Sequence, residues 1–317
     1  MQTHLEHHIG AAASSRDIGG YSVRAVDSSN FSTRRACAVR HNFHHHELMQ
    51  LPRLAKLAQE LRPSRQCRFA PAGMTQTSAF VHTPKSPDGL SIEDVFARIE
   101  EPGSWVALYN VQTDPHYAAF LQEVMASVTP LIAAQQPGVF HITGFIFISA
   151  PPAVTLFHID RENNFWLQIR GRKTMTVFDH SDRSLVPAHA VEEFIVHGSL
   201  KNVRLDPAMR GHGCNFDVGP GDGVYFPSTT PHMTETPLGW ELPGDGVSIS
   251  IGVNFYTAVT RRHAQVHQFN RVLRKLGLDP VFPGIHGWRD RLKAPFGRAV
   301  AASRARWFDY IAPPGAY

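Results

Sequence analysis

The chain has 317 residues, enough for one large domain with extensions or for two modest domains. With 43% hydrophobic and 18% charged residues, its composition is that of a globular protein rather than of a disordered or fibrous one. No apolar run is long enough to span a bilayer, and the polar N-terminus lacks a signal-peptide core. We therefore expect a cytoplasmic protein with no membrane partner.

The net charge of +4 is unevenly distributed, because residues 259–317 carry eleven Lys and Arg against three Asp. Such a basic segment can bind nucleic acid or an acidic partner, but it is more often the solvated face of a helix. Nucleic acid is therefore not the partner we favour.

Residues 1–45 are rich in Ser, Ala, Arg and His, and this composition predicts an N-terminal extension with little fixed structure. Histidines cluster here and just beyond, at His4, His7, His8, His41, His44, His45 and His46. We interpret them as a loosely ordered surface tract rather than as a metal site.

Residues 46–139 predict a mixed, mainly helical part that packs on the following segment. Helical spacing of leucines predicts a helix over Leu51–Leu61, and a capping-box pattern at Ser91 begins a second helix that ends near Glu100. A strand is expected over residues 104–111 and a longer helix over residues 114–135.

From residue 140 to residue 258 the pattern changes to strands separated by Pro, Gly and Asp turns, which predicts an antiparallel sandwich or barrel. The runs are Phe140–Ser149, Val154–Asp160, Phe165–Ile169, Thr174–Phe178, Val203–Leu205, Gly223–Phe226 and Val247–Tyr256. Residues 259–317 then predict a basic helical segment, with one helix over residues 261–276. The fold class is therefore mainly β with flanking helices.

The central chemical signal is His158-Ile159-Asp160 within a predicted strand. Residues i and i+2 of a strand project to the same face, so the imidazole and the carboxylate converge. His232 follows a predicted turn and short strand and is expected to be the second histidine. Two His and one carboxylate leave open positions on a metal, as non-haem Fe(II) oxygenases require.

The turn between the predicted strands Phe165–Ile169 and Thr174–Phe178 adds further candidate residues to the site. If Gly171-Arg172 forms a two-residue hairpin turn, Arg170 pairs with Lys173 and one face carries polar residues. The pairs Gln168 with Met175 and Trp166 with Val177 would then follow on the same face. An inward Lys173 would be costly without an anion; the alternative is a solvated lysine at the hairpin end.

The stretch from His158 to Lys173 closely resembles the JmjC-like (cupin-8) 2-oxoglutarate oxygenases. Within that family the likeness is nearest to the asparaginyl hydroxylase that inhibits hypoxia-inducible factor. The resemblance covers roughly residues 140–257 and implies a double-stranded β-helix, or jelly roll, with N- and C-terminal helices. It also implies that His158, Asp160 and His232 bind Fe(II) and that Lys173 binds the distal carboxylate of 2-oxoglutarate.

Further family positions are matched by Asn164, by Asn254 in the closing strand, and by Thr155. The resemblance implies that these three residues lie at or near the cosubstrate. Simple strand alternation, however, places Thr155 on the opposite face from His158. Trp166, Gln168 and Tyr256 are candidate walls of the substrate pocket, and Trp166 and Gln168 are equally well explained as core packing.

The function that the resemblance implies is a dioxygenase that uses O2 to hydroxylate a C–H bond, releasing succinate and CO2. Asp160 is retained, which argues against a halogenating relative. A peptide or protein side chain is the favoured substrate, ahead of a small metabolite or tRNA. The alternatives are a metal-dependent cupin that uses no 2-oxoglutarate and a non-catalytic barrel that acts as a ligand-binding or regulatory module.

Oligomerisation is the remaining expectation for the basic C-terminal segment. The family has C-terminal helical dimers, so the resemblance favours a homodimer over contact with nucleic acid. The face expected to form it consists of Val266, Phe269, Leu273 and Leu276.

Overall fold

The computed structural model describes residues 20–70, 74–76, 78, 83–236, 238–239 and 246–307. Within those residues the strands are β1 (Val23–Ala25), β2 (Cys37–His41), β3 (Cys67–Phe69), β4 (Trp105–Leu108), β5 (Phe140–Ser149), β6 (Ala153–His158), β7 (Asn163–Arg170), β8 (Lys173–Val177), β9 (Cys214–Val218), β10 (Asp222–Phe226), β11 (His232–Thr236) and β12 (Ser248–Tyr256). The α-helices are α1 (Leu51–Leu61), α2 (Ile92–Ala97), α3 (Pro115–Ile132), α4 (Ala188–His197), α5 (Ala258–Lys275) and α6 (Gly287–Trp307).

The strands of the described residues form two sheets in which every pairing is antiparallel. An eight-stranded sheet has the order β1-β2-β10-β7-β12-β5-β4-β3, and a four-stranded sheet has the order β6-β11-β8-β9. From β5 to β12 the chain alternates between the two sheets, except at the step from β8 to β9. This winding is a double-stranded β-helix, as predicted, with helices on both flanks.

Side-chain alternation on the strands separates an outer core from a barrel interior. On the large sheet, Phe165, Leu167 and Ile169 of β7 point outward and pack in one cluster with residues of α1, α2 and α3. Trp166 of the same strand points inward, where it packs with Met175 of β8. Each large apolar side chain buried in this way contributes about 2 kcal/mol of stability. The two faces of β7 therefore fix both the helical layer and the pocket.

The predicted helices near the N-terminal end of the chain are confirmed. α1 spans the predicted residues. The side chain of Ser91 caps α2 in a capping box with Asp94, but α2 ends at Ala97 rather than near Glu100. The predicted long helix is α3, which buries Tyr117 and Phe120 on its apolar side.

Several elements differ from the sequence prediction. The predicted strand over Val203–Leu205 is wrong, because these residues form no strand; Val203 instead packs in a cluster with α4. β9 was not predicted because Cys214 and Asn215 are exposed and leave too little apolar alternation to detect. The helix α4 was also missed, whereas α6 lies in the C-terminal segment predicted to be helical, without bounds of its own.

The predicted hairpin pairing across Gly171-Arg172 is wrong. β7 pairs with β10 and β12 in the large sheet, whereas β8 pairs with β11 and β9 in the small sheet. Gly171 does have a positive φ of 67°, which a tight reversal favours. The reversal carries the chain from one sheet to the other, so Trp166 and Met175 meet across the barrel interior instead of side by side.

The N-terminal region is more ordered than predicted wherever it is described. β1 and β2 extend the large sheet, and β2 pairs with β10 in the register Val39↔Gly223. His41 is buried, and its Nε2 donates to the carbonyl of Gln168 at 2.8 Å. Residues 1–19, including His4, His7 and His8, lie outside the described residues. The predicted division of the chain at residues 45, 139 and 258 stays a prediction.

A search for membrane-spanning helices among the described residues finds none that is both long and apolar enough.

Gly223 gives a test of how tightly β10 is held against β7. A Cβ atom at Gly223 would lie 2.6 Å from the carbonyl oxygen of Trp166 and 2.6 Å from a methyl carbon of Leu167. We expect Gly223→Ala to lower the free energy of unfolding by about 1–3 kcal/mol, because the strands must separate. Urea denaturation measures this change. Gly211→Ala is the control, since nothing lies within 4 Å of its Cβ position; equal effects of the two substitutions would contradict the packing argument.

Candidate metal centre

Two histidines face each other where the small sheet meets the loop after β6. His158 ends β6, His232 begins β11, and the antiparallel register pairs them directly. Their ring centroids are 4.1 Å apart. The pairing of the two strands therefore places both imidazoles at one point, as expected from the sequence.

Asp160 completes the cluster from the loop that follows β6. Its Oδ1 lies 3.8 Å from His158 Nε2, and its Oδ2 lies 3.5 Å from His232 Nε2. The loop is held by the amide of Thr229, which donates to the carbonyl of Asp160 at 2.8 Å. One donor atom from each of the three residues lies within 4.8 Å of the others, and among the described residues this is the single group of this kind.

The orientation of both imidazoles suits metal ligation through Nε2. Nδ1 of His158 donates to the carbonyl of Leu156 at 2.6 Å, and Nδ1 of His232 donates to the carbonyl of Thr230 at 2.9 Å. The proton is therefore fixed on Nδ1, and the Nε2 lone pair points towards Asp160. Burial, followed by the nearby His158, lowers the pKa of His232 to about 4, which keeps the ring neutral. A divalent cation fits this donor set.

A cavity of about 560 Å³ opens from the cluster into the barrel. The lining consists of Arg68, Tyr109, Phe145, Phe147, Thr155, His158, Ile159, Asp160, Arg161, Glu162, Asn164, Trp166, Lys173, Met175, Phe194, Leu200, His232, Thr234 and Ser250. This volume is in the range that holds a small cosubstrate together with part of a second molecule.

Thr155 lines the same cavity as His158, against simple alternation. The β6–β11 register explains why: His232 pairs with His158 and Thr234 pairs with Thr155, so β6 uses three residues where β11 uses two. This β-bulge reverses the alternation between the two positions. The expectation from strict alternation is therefore wrong.

Lys173 begins β8 and lines the inner part of the cavity. Its side chain is buried, with 3% exposure, and has no ion pair or hydrogen bond within the described part of the chain. Burial lowers the pKa of Lys173 from 10.5 to about 7. An unpartnered buried ammonium is unfavourable, so this position suits an incoming anion. The alternative of a solvated lysine at a hairpin end is wrong.

Two asparagines face each other across the β7–β12 pairing, where Asn254 is in register with Asn164. Both are buried, and Asn164 lines the cavity whereas Asn254 is not among its described lining residues. Asn164 Oδ1 and both amide atoms of Asn254 have no hydrogen-bond partner in the described residues. A bound polar molecule would satisfy donors and acceptors of this kind.

The three candidate walls of the substrate pocket are placed differently from one another. Trp166 lines the cavity and also packs in an apolar cluster with Met175. Gln168 does not appear among the described lining residues; its Nε2 donates instead to Ser248 Oγ at 2.9 Å. Tyr256 lies behind the cavity wall, where its hydroxyl donates to Glu162 Oε1 at 2.7 Å. Burial, together with the charge of Asp160, raises the pKa of Glu162 to about 7.

The sequence did not indicate the aromatic wall of the cavity. Tyr109 packs on Phe145 with ring centroids 4.9 Å apart, and the guanidinium of Arg68 stacks over Tyr109 at 5.0 Å. Phe147 and Phe145 alternate with Ile146 on β5, so both faces of that strand are apolar. An apolar pattern on both faces carries no signal for which one lines a pocket.

Comparisons with known proteins find similar structures but no similar sequence. No protein-family model matches the chain, and no curated protein matches it. A solved structure of YcfD, a ribosomal oxygenase from Escherichia coli in complex with cobalt and 2-oxoglutarate, matches at 17% identity and a TM-score of 0.46, over 89% of this chain and 66% of that one. SnoK, a non-heme alpha ketoglutarate dependent carbocyclase from nogalamycin biosynthesis, matches at 14% identity and a TM-score of 0.43, over 74% of this chain and 87% of that one.

The chain thus spans about two thirds of the length of that YcfD structure. At such identities and TM-scores the similarity says nothing about ligand or activity, which depend on this chain's own residues. The nearer likeness to the asparaginyl hydroxylase stays a prediction.

Lys173 gives a test of the cavity without any ligand. Its pKa falls from 10.5 to about 7 on folding, so between these pH values the unfolded chain binds a proton that the folded chain releases. The free energy of unfolding therefore rises with pH through that window, and the burial penalty is fully present below pH 7. We expect Lys173→Met to remove this slope and to stabilise the ligand-free chain at pH 7 by on the order of 3–4 kcal/mol.

Urea unfolding at pH 7 and pH 10 measures both effects, with the exposed Lys201→Met as the control. A Lys173→Met chain that is less stable than wild type at pH 7 would contradict the assignment of an unpartnered buried ammonium.

Proposed function

We propose that the chain is an Fe(II)- and 2-oxoglutarate-dependent oxygenase that hydroxylates a substrate C–H bond. The observation that carries the proposal is the combination of an open His158–Asp160–His232 cluster with an unpartnered, buried Lys173 in one cavity. The cluster offers two imidazoles and one carboxylate on a single side of the metal position. Such a set leaves three positions for other ligands.

When bound, Fe(II) supplies the O2 chemistry in which 2-oxoglutarate is oxidised to succinate and CO2 while one oxygen atom enters the substrate C–H bond. The protein's share is ligation, orientation and the exclusion of water. Asp160 supplies the anionic ligand, and its retention favours hydroxylation over halogenation. The carbonyls of Leu156 and Thr230 hold the imidazoles in the tautomer that leaves Nε2 free.

Lys173 is proposed to pair with the distal carboxylate of 2-oxoglutarate. The pairing would restore the charged form of a side chain whose burial lowers its pKa. Thr155 and Asn164 line the same cavity and are proposed to hydrogen-bond the cosubstrate. Asn254 is proposed to orient Asn164 or to contact the cosubstrate through its unpartnered amide. A cupin that used no 2-oxoglutarate would leave Lys173 without an anion, so we do not favour that alternative.

The substrate is proposed to enter along the aromatic side of the cavity, formed by Tyr109, Phe145 and Phe147. Arg68 and Arg161 line the same cavity, and neither has a carboxylate within 4.0 Å among the described residues. Aromatic rings beside hydrogen-bonding side chains suit a peptide or protein side chain, the substrate class we favour. A small metabolite or tRNA is the alternative that a substrate screen would distinguish.

The cofactor assignment is tested without a substrate. Under anaerobic conditions, Fe(II) and then 2-oxoglutarate are added to the full chain, and the weak visible charge-transfer band of the chelated cosubstrate is recorded. We expect the band in wild type and its loss in His232→Ala. Lys173→Ala should require about 10- to 100-fold more 2-oxoglutarate, the cost of one charge-assisted contact.

Lys201→Ala, an exposed lysine, is the matched control and should titrate as wild type does. Metal binding without a band would reject 2-oxoglutarate as the cosubstrate. Failure to bind metal would leave the ligand-binding module as the better interpretation.

We further propose that the chain forms a homodimer through α6. Trp288, Leu292 and Phe296 recur at helical spacing on one side of α6 and are 61%, 61% and 59% exposed. Exposed apolar rows of this kind mark protein contacts. The face expected from the sequence is only partly available, because Val266 is fully buried within the chain and Phe269 stacks on Phe296.

The dimer proposal predicts that Leu292→Glu shifts the chain from dimer to monomer, because a carboxylate would be buried without a partner. Gel filtration with light scattering measures the mass. Leu238→Glu makes the same change at a residue that is 67% exposed elsewhere and should leave the mass unchanged. A wild-type chain that is monomeric at micromolar concentration would reject the proposal.

A further inference from the structure

A second cavity, of about 660 Å³, lies between the barrel and the C-terminal helices. Its walls come from the loop after β8, from the first half of α5 and from the loop that precedes α6. Tyr256 forms part of the wall, and Arg161 lines both this cavity and the one that contains the metal cluster. The two cavities are therefore neighbours with different linings. The proposed oxygenase function makes no use of the second one.

The lining of the second cavity is strongly basic. The described residues that line it include four arginines, Arg34, Arg161, Arg183 and Arg262, against one carboxylate, Asp290. Among the described residues Asp290 forms no ion pair with these arginines; its Oδ2 accepts the amide of Gly284 at 2.8 Å and lies 3.9 Å from His263 Nε2.

Within the described residues no carboxylate lies within 4.0 Å of the guanidinium of Arg34, Arg183 or Arg262. Asp182 and Asp179 act on Arg183 only from beyond that distance, and a concave surface lined by more guanidinium groups than carboxylates concentrates anions.

Arg183 is partly buried, and its Nε donates to the carbonyl of Ser181 at 3.4 Å. Its guanidinium stacks over the ring of Phe282, 4.1 Å from the centroid. Both terminal nitrogens are buried and have no hydrogen-bond partner in the described part of the chain. Burial lowers the pKa of Arg183 to about 10, although Asp182 and Asp179 oppose the shift. Buried guanidinium donors are almost always paired, so two terminal nitrogens without partners among the described residues suit a ligand that can accept two hydrogen bonds.

A second unpartnered group faces the same cavity from α5. His267 is 2% exposed, and its Nδ1 is buried with no partner among the described residues. Its ring packs edge to face against the ring of Phe282, with the two centroids 4.9 Å apart. Burial holds the pKa of His267 well below its usual value, so the ring is neutral and offers a single N–H. Arg183 and His267 thus present donors around one aromatic wall.

We propose that this cavity binds the phosphoryl group of a small phosphorylated molecule. A phosphoryl group carries close to two negative charges at neutral pH and three oxygens that accept from several directions. Arginines on separate elements match that geometry, because each guanidinium can contact two oxygens. The cavity is much larger than a phosphate ion, and its apolar residues Ile195, Phe282 and Ile285 suit an organic remainder of the ligand.

The test uses the full chain and inorganic phosphate as the probe, with binding followed by titration calorimetry and by the ³¹P resonance of the ion. We expect saturable binding that Arg183→Gln and Arg262→Gln each weaken by about tenfold or more, the effect of losing one charge-assisted contact. Arg298→Gln is the matched control, because Arg298 is exposed and is not among the residues that line the cavity. Lys173→Gln is the second control and reports phosphate that enters the metal-cluster cavity. Neither control should change the affinity.

Thermal melts show which variants fold, and Arg262→Gln decides the question if Arg183→Gln does not, since Arg262 is only half-buried. Absence of saturable binding to wild type would overturn the proposal. So would an equal loss of affinity in Arg298→Gln or Lys173→Gln, which would indicate non-specific charge or the first cavity. Malonate that binds as tightly as phosphate would replace the phosphoryl group by a dicarboxylate and overturn the ligand class.

Discussion

The antiparallel pairing of β6 with β11 is the interaction on which the metal centre depends. It places His232 directly opposite His158, although the two residues are far apart in the sequence. The carbonyls of Leu156 and Thr230, in or next to the same two strands, accept hydrogen bonds from Nδ1 of the two rings. The two strands therefore fix both the position and the tautomer of each imidazole. The bulge in β6 then brings Thr155 to the same side. Slippage of this pair by one residue would turn the ligands away from the cavity.

The barrel interior is unusual in the polar groups that it leaves without partners. Lys173, Asn164, Asn254 and the hydroxyl of Ser250 are buried. Asn164 Oδ1, both amide atoms of Asn254 and Ser250 Oγ have no hydrogen-bond partner among the described residues. Each such group lowers stability, by about 1–3 kcal/mol for a neutral one. The outer apolar cluster, which packs the large sheet against α1 and α3, offsets that cost. The fold thus tolerates buried polar groups in the barrel interior that a bound ligand would supply with hydrogen-bond partners.

Much of the site was predictable because its signals are local in sequence. The spacing of His158, Asp160 and Lys173 follows from strand geometry and the family resemblance, and the cavity contains all three. The sequence did not indicate which strands pair with one another in each sheet. The assumed hairpin failed because a turn at Gly171 is compatible both with pairing in one sheet and with a crossing between two sheets.

The aromatic wall and the arginine-lined second cavity were not predicted for a related reason. Tyr109, Arg183 and His267 belong to separate elements, and only tertiary packing brings each to its cavity. The N-terminal strands were missed because β1 and β2 are short and lie in a polar sequence. Their order comes from pairing with β10 rather than from their own propensity.

The position of β2 has a practical consequence for anyone who shortens the chain. A version that began after residue 45 would lose β1 and β2 and leave β10 as an edge strand with a row of open backbone groups. Unprotected edges of this kind pair with other chains and promote aggregation. The loss of His41 would also remove one of the hydrogen bonds that the carbonyl of Gln168 on β7 accepts, while the one from the amide of Gly221 remains. β1 and β2 therefore protect the edge of the large sheet. Insolubility of a shortened protein would reflect the exposed backbone groups of β10.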